Sequence, residues 1–384
     1  MHKIKMVFKT PYWEAVGIIV GMIIGSGIFA LPYAVNVSGI FWAIISAALA
    51  FIAVLSIHLA YGEIVSNTDG SHRLPGYAKL YLGKIFGGLS LASQILGFNI
   101  ALLIFGGLGG FFLSILFGGA PFFWALAFFI IASLILFFEN AEGIGFIDFI
   151  LTIPLILIVL YIAFLSFGKG SVANIALFGQ DRFFSFGVFM FALAGLAAIA
   201  DAKEVLSGNS FGAPAKLKSA IILGTTIPLI LYCVFIFGVL MASGGKVSKD
   251  AISGLIGVLG PGILKVGAVL GLLSLARSYL ALGFDLKAMY KFDLKFPTFF
   301  AWLLGGLIPV LFYIFGVQDF IKLTSIMGGT LIAFDGIIII FILRKFRKNI
   351  GEKTKLLYFG APLQFFLIFI LSAAIVYEFI YQIL

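Results

Sequence analysis

The sequence predicts an all-α integral membrane protein, and three features of the chain carry this prediction. Of its 384 residues, 62% are hydrophobic and only 11% are charged, and the mean hydropathy is +1.20. Crossing a hydrocarbon core takes about 20 apolar residues, and runs of that length follow one another along the whole chain. Glycines interrupt the first of these runs near its middle. We therefore expect one membrane domain and no soluble module.

Eleven apolar runs are expected to form transmembrane helices with short polar connections. Lys and Arg concentrate in every second connection. Because cytoplasmic loops carry the excess of basic residues, this distribution predicts a plasma-membrane protein with a cytoplasmic N-terminus and an outer C-terminus. It also accounts for the net charge of +9 without a nucleic-acid partner. The expected spans are 13–34, 39–62, 85–116, 121–138, 146–168, 184–206, 216–242, 261–283, 297–315, 320–343 and 357–382.

The first span is expected to be broken at membrane depth. Gly21, Gly25 and Gly27 lie within it, and Pro32 lies near its end. A glycine in a helix interior costs about 1 kcal/mol relative to alanine, and a proline costs about 3 kcal/mol. Non-helical backbone inside a bilayer is tolerated only where protein buries it or where it lines a cavity. The break therefore favours a binding site of the kind found in secondary transporters.

A second break is expected in the sixth span. Small residues occupy its centre between Phe191 and Ala198, and charged residues follow. The two broken spans start about 170 residues apart with five spans in each half, and a five-helix unit that is repeated once must be inverted in the membrane. The sequence therefore predicts a first repeat over 13–168, an inverted second repeat over 184–343, and an extra helix over 357–382.

Three stretches resemble motifs of the amino acid–polyamine–organocation superfamily. Gly25–Pro32 is similar to the glycine motif of the first helix, Gly70–Ala78 resembles the loop after the second helix, and Phe191–Glu204 is similar to the sixth-helix motif. Within that superfamily, the three motifs most resemble those of the amino acid/auxin and aromatic amino acid permease branch. The resemblance implies a leucine-transporter type fold of five plus five inverted helices with an eleventh helix, and amino acid transport by alternating access.

Two positions depart from that pattern. A proline often falls in the sixth helix of such permeases where this chain has Ala200. Sodium-coupled relatives present two hydroxyl residues from the eighth helix, where this chain has Arg277 and Ser278. The second departure argues against sodium as the coupling ion.

The two breaks are expected to bind the two charged groups of an amino acid. Half-helix N-termini suit a carboxylate, and half-helix C-termini suit an ammonium group. The alternative for both glycine clusters is tight helix packing. No charge lies within either break, so a neutral, apolar or aromatic amino acid is the expected cargo. The carboxylate is assigned to Gly25, Ser26 and Gly27, with Ile28 and Phe29 beside them. The ammonium is assigned to the carbonyls of Phe191, Ala192 and Leu193, with Ala194 in the same break and Gly195 setting the room for the side chain.

Polar residues elsewhere in the spans are candidates for the site wall or for ion coupling. Asn99 on the third span is a further substrate candidate, although buried amides often only bridge helices. Arg277, flanked by Ser274 and Ser278, is hypothesised to be a fixed cation in place of sodium that ties span eight to the carbonyls of helix one. The alternative is that its side chain snorkels to the inner interface.

Asp335 lies in the middle of the tenth span and is a candidate proton-binding group or a partner for Arg277. Asp201 and Glu204 on the sixth span are its rivals, with Glu204 more readily explained by solvent pairing. His58 and Glu63 are expected to form interfacial pairs at the end of span two, with each other or with nearby loop residues. Protons are the preferred coupling ion and Na⁺ is the alternative, while exchange or facilitation without an ion remains open.

Other functional classes fit the sequence less well. Three histidines, one cysteine and no clustered ligands give no haem or zinc constellation, so no enzyme, metal site or cofactor is expected. Gly106–Gly110 is glycine-rich, but it lies inside an apolar span and not between a strand and a helix. A channel is disfavoured because it needs a ring of charges or a carbonyl filter. A metal-ion carrier is disfavoured because it needs soft or acidic ligands at both breaks. The expected partners are a small amino acid, the coupling ion and the lipid bilayer.

Overall fold

A computed structural model describes residues 11–68, 72–138, 144–207, 213–350 and 360–383, and these ranges contain helices and no strand. The first half of the chain forms seven helices: α1 (Pro11–Ile23), α2 (Gly27–Ser38), α3 (Ile40–Asn67), α4 (Leu74–Leu82), α5 (Lys84–Phe117), α6 (Pro121–Phe138) and α7 (Ile144–Lys169). The second half forms nine: α8 (Phe184–Ala192), α9 (Leu196–Ser207), α10 (Ala213–Ala242), α11 (Ile256–Leu259), α12 (Gly262–Ala288), α13 (Thr298–Ile314), α14 (Phe320–Ile326), α15 (Ala333–Ile350) and α16 (Ala361–Glu378).

Each predicted span has a helical counterpart in the described residues. Eight helical segments are long and apolar enough to cross a membrane, and α1 with α2 forms a ninth span bent by 55°. Two shorter apolar helices, Ile156–Lys169 and Thr298–Ile314, match the fifth and ninth predicted spans. Gly70 and Ser71 of the motif after the second span lie outside the described residues.

Both predicted breaks are present. The first separates α1 from α2 at residues 24–26, and the second separates α8 from α9 at residues 193–195. A π-helical turn, Met327–Ile332, joins α14 to α15 in the tenth span. The two breaks therefore lie at the positions that glycine placement predicts.

The half-helix α8 lies at the centre of the bundle. All nine of its residues are buried, and it packs against α2, α3, α14 and the π-turn of the tenth span. Because α8 has no lipid-facing side, its polar backbone ends are satisfied by protein or by whatever enters the bundle. This packing places the second break beside the first.

Candidate functional site

A cavity of about 530 Å³ lies between the two breaks and the helices around them. Its lining includes both breaks and faces of α3, α5, α12 and α15. At one end it reaches the start of α4, where Arg73 faces two carboxylates. Arg73 Nε lies 3.9 Å from Asp285 Oδ1, and Arg73 Nη1 lies 3.6 Å from Asp293 Oδ2. The cavity therefore joins the breaks to a cluster of charged residues at one face of the bundle.

The first break lines this cavity through Gly25, Ser26 and Gly27. The Gly25 N–H donates to Ile23 O at 2.8 Å, and the Phe29 N–H donates to Ser26 O at 3.1 Å. The first N–H groups of α2 have no acceptor within the helix, as at every helix start. Ser26 Oγ is buried and lacks a hydrogen-bond partner among the described residues, and so does Ser278 Oγ on α12. These two hydroxyls and the α2 N-terminus form a polar patch that suits an anion.

The second break is held by hydrogen bonds from the protein itself. The Leu193 N–H donates to Phe189 O at 3.0 Å, and the Ala194 N–H donates to Phe191 O at 3.1 Å. The Gly195 carbonyl accepts from the Ala198 N–H at 3.1 Å, which starts α9. The chain thus makes a tight turn between two half-helices.

Tyr232 on α10 links the two breaks. Its hydroxyl donates to Ile23 O at 2.7 Å and lies 3.0 Å from Ala192 O. The side chain is fully buried. A single hydroxyl therefore lies within hydrogen-bond reach of the last carbonyls of both α1 and α8, and Ile23 O also accepts from the Gly25 N–H.

His58 on α3 holds the other side of the second break. The Gly195 N–H donates to His58 Nε2 at 3.3 Å, and Nδ1 lies 3.1 Å from Thr225 Oγ1 on α10. Because a backbone N–H only donates, Nε2 is the acceptor and the ring proton lies on Nδ1, which donates to Thr225. His58 is buried and lines the cavity. The expected pair with Glu63 is wrong, because Glu63 instead binds Arg347 through two contacts of 2.7 Å.

The two breaks touch each other. A Cβ atom added to Gly27 would lie 2.6 Å from both Cα and Cβ of Ala192. A Cβ atom added to Gly195 would lie 2.5 Å from Ile23 Cγ1. Gly195 therefore allows α9 to approach α1, and it also lines the cavity.

The structure brings together most of the candidate residues, but not all of them. Asn99 is not among the residues that line the cavity, because its amide donates to Ile95 O at 2.8 Å and faces the Tyr290 hydroxyl at 3.3 Å. Phe29 packs on Phe112 instead. The candidates that line the cavity are Gly25, Ser26, Gly27, Phe191, Ala192, Ala194, Gly195, Asp201, Ser278 and Asp335. Those that do not are Ile28, Phe29, Leu193, Asn99, Ser274 and Arg277.

The coupling candidates occupy different surroundings. Arg277 is buried, with 6% of its surface exposed, so its side chain does not snorkel to the surface, and it lies near Tyr232. Ser274, one turn before Arg277, joins span eight to helix one, because its Oγ donates to Ile24 O at 3.4 Å. Asp335 faces Ser93 and Gln94 on α5.

Sequence reasoning passed over Tyr232 and assigned His58 elsewhere. A tyrosine or histidine in an apolar run is compatible with ordinary core packing. Its partners lie far away in the sequence, 209 residues for Tyr232 and Ile23 and 137 residues for His58 and Gly195. The available signal was that a titratable side chain in mid-span is a functional candidate by default.

Neither a protein-family model nor a curated protein matches the sequence. Among solved structures, the chain is similar to MhsT in complex with L-phenylalanine, with a TM-score of 0.66, 18% identity, and coverage of 96% of this chain and 97% of MhsT. It is also similar to Mhp1, a nucleobase-cation-symport-1 family transporter, in a closed conformation with bromovinylhydantoin bound. That match has a TM-score of 0.65 and 16% identity, and it covers 96% of this chain and 91% of Mhp1.

At these identities the likeness shows the fold. The protein is a multi-pass membrane protein with the helical fold of these two solved structures. It has the leucine-transporter type of that fold, which confirms the fold class expected from the sequence.

Proposed function

We propose that this protein is a secondary transporter that moves amino acids across the membrane by alternating access. The observation that carries the proposal is the meeting of two broken helices at one cavity. Inside the bilayer, backbone that leaves the helix is typical of a transporter binding site. The cavity also reaches the charged cluster around Arg73, so one end of the site leads to one face of the bundle.

The first break supports an amino acid as cargo, because it offers what a carboxylate requires. Backbone N–H groups at the start of α2 carry the positive end of the helix dipole. The hydroxyls of Ser26 and Ser278 are buried beside them without partners among the described residues. In this proposal Gly25, Ser26 and Gly27 hold the carboxylate, and Ser278 completes the patch.

The apolar part of the cavity supports an apolar or aromatic side chain in the cargo. Phe98, Phe105, Phe191 and Met327 are among its lining residues. The L-phenylalanine bound to MhsT, which shares this fold, is consistent with such a cargo. We further propose that the chain belongs to the amino acid–polyamine–organocation superfamily, near the amino acid/auxin branch, with the two inverted repeats and the cytoplasmic N-terminus expected from its sequence.

Proton coupling is proposed over sodium coupling. Arg277 places a fixed positive charge in span eight, where sodium-coupled relatives present hydroxyls, and it is buried near Tyr232. Asp201 and Asp335 both line the cavity and are the candidate proton-binding groups. Replacing Arg277 by threonine is then expected to alter ion dependence, and unchanged sodium-independent uptake in that variant would contradict the role of Arg277.

The first experiment is uptake of a labelled amino acid mixture into sodium-free proteoliposomes, with and without an inward proton gradient. Stimulation by the gradient is the result expected for proton symport. Uptake that is indifferent to the gradient assigns the protein to exchange or facilitated diffusion. If uptake is absent here and also absent with sodium, amino acids are not the cargo.

A second measurement separates a carrier from a channel. A carrier saturates with substrate and shows counterflow, in which unlabelled internal amino acid accelerates entry of the labelled one. A channel shows neither property. Empty liposomes prepared in the same way are the control for leakage.

A further inference from the structure

We propose that Asp335, Ser93 and Gln94 form a second polar subsite in the cavity, which binds an ammonium group of the cargo. The inference rests on the proposed transport function and concerns the part of the cavity wall that α5 and α15 form. Asp335 lies on α15, and Ser93 and Gln94 lie on α5. All three side chains line the cavity.

Unsatisfied polar atoms in the cavity fall into two groups. Ser26 Oγ and Ser278 Oγ lie at the first break, where Gly25 allows Ser278 to approach. Asp335 Oδ1 and Ser93 Oγ lie between the third and tenth spans. All four atoms are buried and lack a hydrogen-bond partner among the described residues. Buried polar atoms without partners are rare in folded proteins, so two such groups in one cavity indicate two places where a ligand supplies the partner.

The second break is poorly placed to bind the ammonium group. Phe191 O already accepts from the Ala194 N–H at 3.1 Å. Ala192 O already lies 3.0 Å from the Tyr232 hydroxyl. Each of these carbonyls has one accepting position left, so a cavity carboxylate offers a cationic group the stronger, charge-assisted acceptor.

Asp335 is the cavity carboxylate that best meets this need. Asp285 and Asp293 already face the Arg73 guanidinium, and Asp201 has an exposed side chain. A carboxylate at membrane depth is costly unless a cation, a proton or water compensates it. The tenth span, in which Asp335 lies near the middle, runs from Phe320 to Lys348.

The donor and acceptor chemistry matches an ammonium group better than a lone proton. An ammonium group has three N–H donors and no acceptor. Asp335 Oδ1, Ser93 Oγ and Gln94 Oε1 are three oxygens that can accept, and the bond to the carboxylate is charge-assisted. A proton on Asp335 would supply one donor only, whereas an ammonium group has donors for the carboxylate and for the neighbouring oxygens as well.

Two parts of a cargo could supply the ammonium group. One is the α-amino group of any amino acid, and the other is the terminal amino group of a lysine-like side chain. The apolar residues Gly97, Met327 and Leu331 lie next to the subsite, and a methylene stem packs well on such surface. L-Lysine and L-norleucine differ only by the terminal amino group, so they separate the two sources.

The test measures binding and uptake by the full-length transporter. Dissociation constants for L-lysine, for L-norleucine and for the labelled amino acid that the wild type takes up best are obtained from thermal unfolding shifts of detergent-purified protein. Uptake of the same compounds is measured in sodium-free proteoliposomes. The variant is Asp335→Asn, and the control is Glu14→Gln, which makes the same carboxyl-to-amide change at an exposed position outside the cavity.

The proposal predicts that Asp335→Asn weakens binding of the ammonium-bearing ligand by at least about tenfold, because a buried charged partner is lost. If the side chain supplies the ammonium, lysine binding falls and norleucine binding is unchanged. If the α-amino group supplies it, every amino acid that binds the wild type weakens together. Glu14→Gln is expected to leave all affinities within about twofold, as for an exposed side chain.

The proposal is overturned if Asp335→Asn keeps wild-type affinity for all of these ligands. If that variant also loses stimulation by the proton gradient, Asp335 is a proton-binding group instead. Should the variant fail to fold, Ser93→Ala and Gln94→Leu leave the carboxylate in place. Unchanged affinities in both of them would likewise overturn the proposal. Absence of uptake of any amino acid by the wild type contradicts the proposed function itself, which is a separate result.

Discussion

The two helix breaks look alike in the sequence, yet their polar groups are satisfied in different ways. At the first break, the residues that start α2 line a cavity beside Ser26 and Ser278, whose hydroxyls are buried without partners among the described residues. At the second break, Tyr232 and His58 bind the backbone at Ala192 and Gly195. The first break therefore has capacity left for a ligand, and the second is braced by its own protein.

This difference separates two roles that glycine placement alone does not distinguish. A break with unsatisfied groups is suited to bind cargo. A break whose groups are already bonded to α3 and α10 is suited to hold the geometry of the site. Because Tyr232 also binds Ile23 O, the braced break fixes the position of the open one.

The largest expected effect tests the contact between the two breaks. Gly27→Ala places a Cβ atom 2.6 Å from the Ala192 backbone, so one half-helix must move. Overpacking of this kind costs about 1–3 kcal/mol, and we expect the upper end because the obstructing atoms include backbone. The measurement is the thermal unfolding midpoint of the purified protein.

Gly25→Ala is the matched control, because its added Cβ atom would meet only Ser278 Oγ, at 3.4 Å. That distance is close to ordinary van der Waals contact, so Gly25→Ala is expected to lower the free energy of unfolding by less than about 1 kcal/mol. Equal destabilisation by the two substitutions would show that the breaks do not rest on each other through Gly27.

The next effect tests the link made by Tyr232. Tyr232→Phe removes one hydroxyl and leaves the carbonyls of Ile23 and Ala192 without that donor in a buried site. Ile23 O keeps the Gly25 N–H as a donor, so the acceptor left unpaired is Ala192 O, and leaving a buried acceptor unpaired costs about 1–3 kcal/mol. We expect a lower unfolding midpoint and a loss of uptake of about tenfold or more.

Tyr313→Phe is the control for Tyr232→Phe, since Tyr313 is a buried tyrosine outside the cavity lining and makes ring contacts with Phe122 and Phe129. Tyr313→Phe is expected to lower uptake and the unfolding midpoint only slightly, because the ring remains in place. If both substitutions have the same effect on uptake, the link between the breaks does not matter for transport.

His58 gives a third and smaller test of the braced break. His58→Leu removes the acceptor for the Gly195 N–H, which we expect to cost about 1–2 kcal/mol. His58→Gln keeps an acceptor oxygen and is expected to recover most of that loss. The measurement is the maximal transport rate. If His58 positions the break, this rate falls in His58→Leu and recovers in His58→Gln.

Thr225→Val checks the tautomer of His58, because it removes the partner of Nδ1 at nearly constant volume. It is expected to reproduce part of the His58→Leu defect. A wild-type rate in Thr225→Val, together with a defect in His58→Leu, would show that Thr225 does not orient the imidazole.

The sequence predicts the breaks but not what satisfies them. Gly25, Gly27 and Pro32 lie close together in one run, and that local pattern is enough to expect non-helical backbone. Tyr232 and His58 reach the breaks from the seventh and second spans, and their contacts depend on how the helices pack. No spacing rule within a single span predicts such long-range hydrogen bonds.

Asn99 illustrates the same limit on a single helix. It lies on α5, as predicted, and neighbours on that helix such as Gln94, Gly97 and Phe98 line the cavity. Successive residues of a helix point about 100° apart, so a polar residue one position further on can face a different helix. Asn99 faces Tyr290 on the π-helical turn that follows α12. The orientation of α5 about its axis decides this, and it is set by packing with α4, α6 and α12.

The smallest expected effect on stability comes from an exposed ion pair, with which the effects of the buried contacts can be compared. Lys249 Nζ lies 2.7 Å from Asp319 Oδ2, and about half of each side chain is exposed. Asp319 Oδ1 also accepts from the Lys322 N–H at the start of α14. Asp319→Asn removes the charge and keeps a good helix cap, so a loss below about 1 kcal/mol is expected.

The pH dependence of this pair has a definite sign. Partial burial alone would raise the pKa of Asp319, but hydrogen bonds from Lys249 and from backbone N–H groups, together with the Lys249 charge, lower the pKa below its usual value. The contribution is therefore complete above the unfolded-state pKa of about 3.9 and is lost as pH falls through the lower folded-state value. Unfolding midpoints of wild type and Asp319→Asn should differ by a constant small amount from pH 5 to pH 8, because this whole range lies about one unit or more above that pKa. If Asp319→Asn lowered the unfolding midpoint as much as Tyr232→Phe does, the exposed charge would contribute as much stability as the buried hydroxyl that links the two breaks.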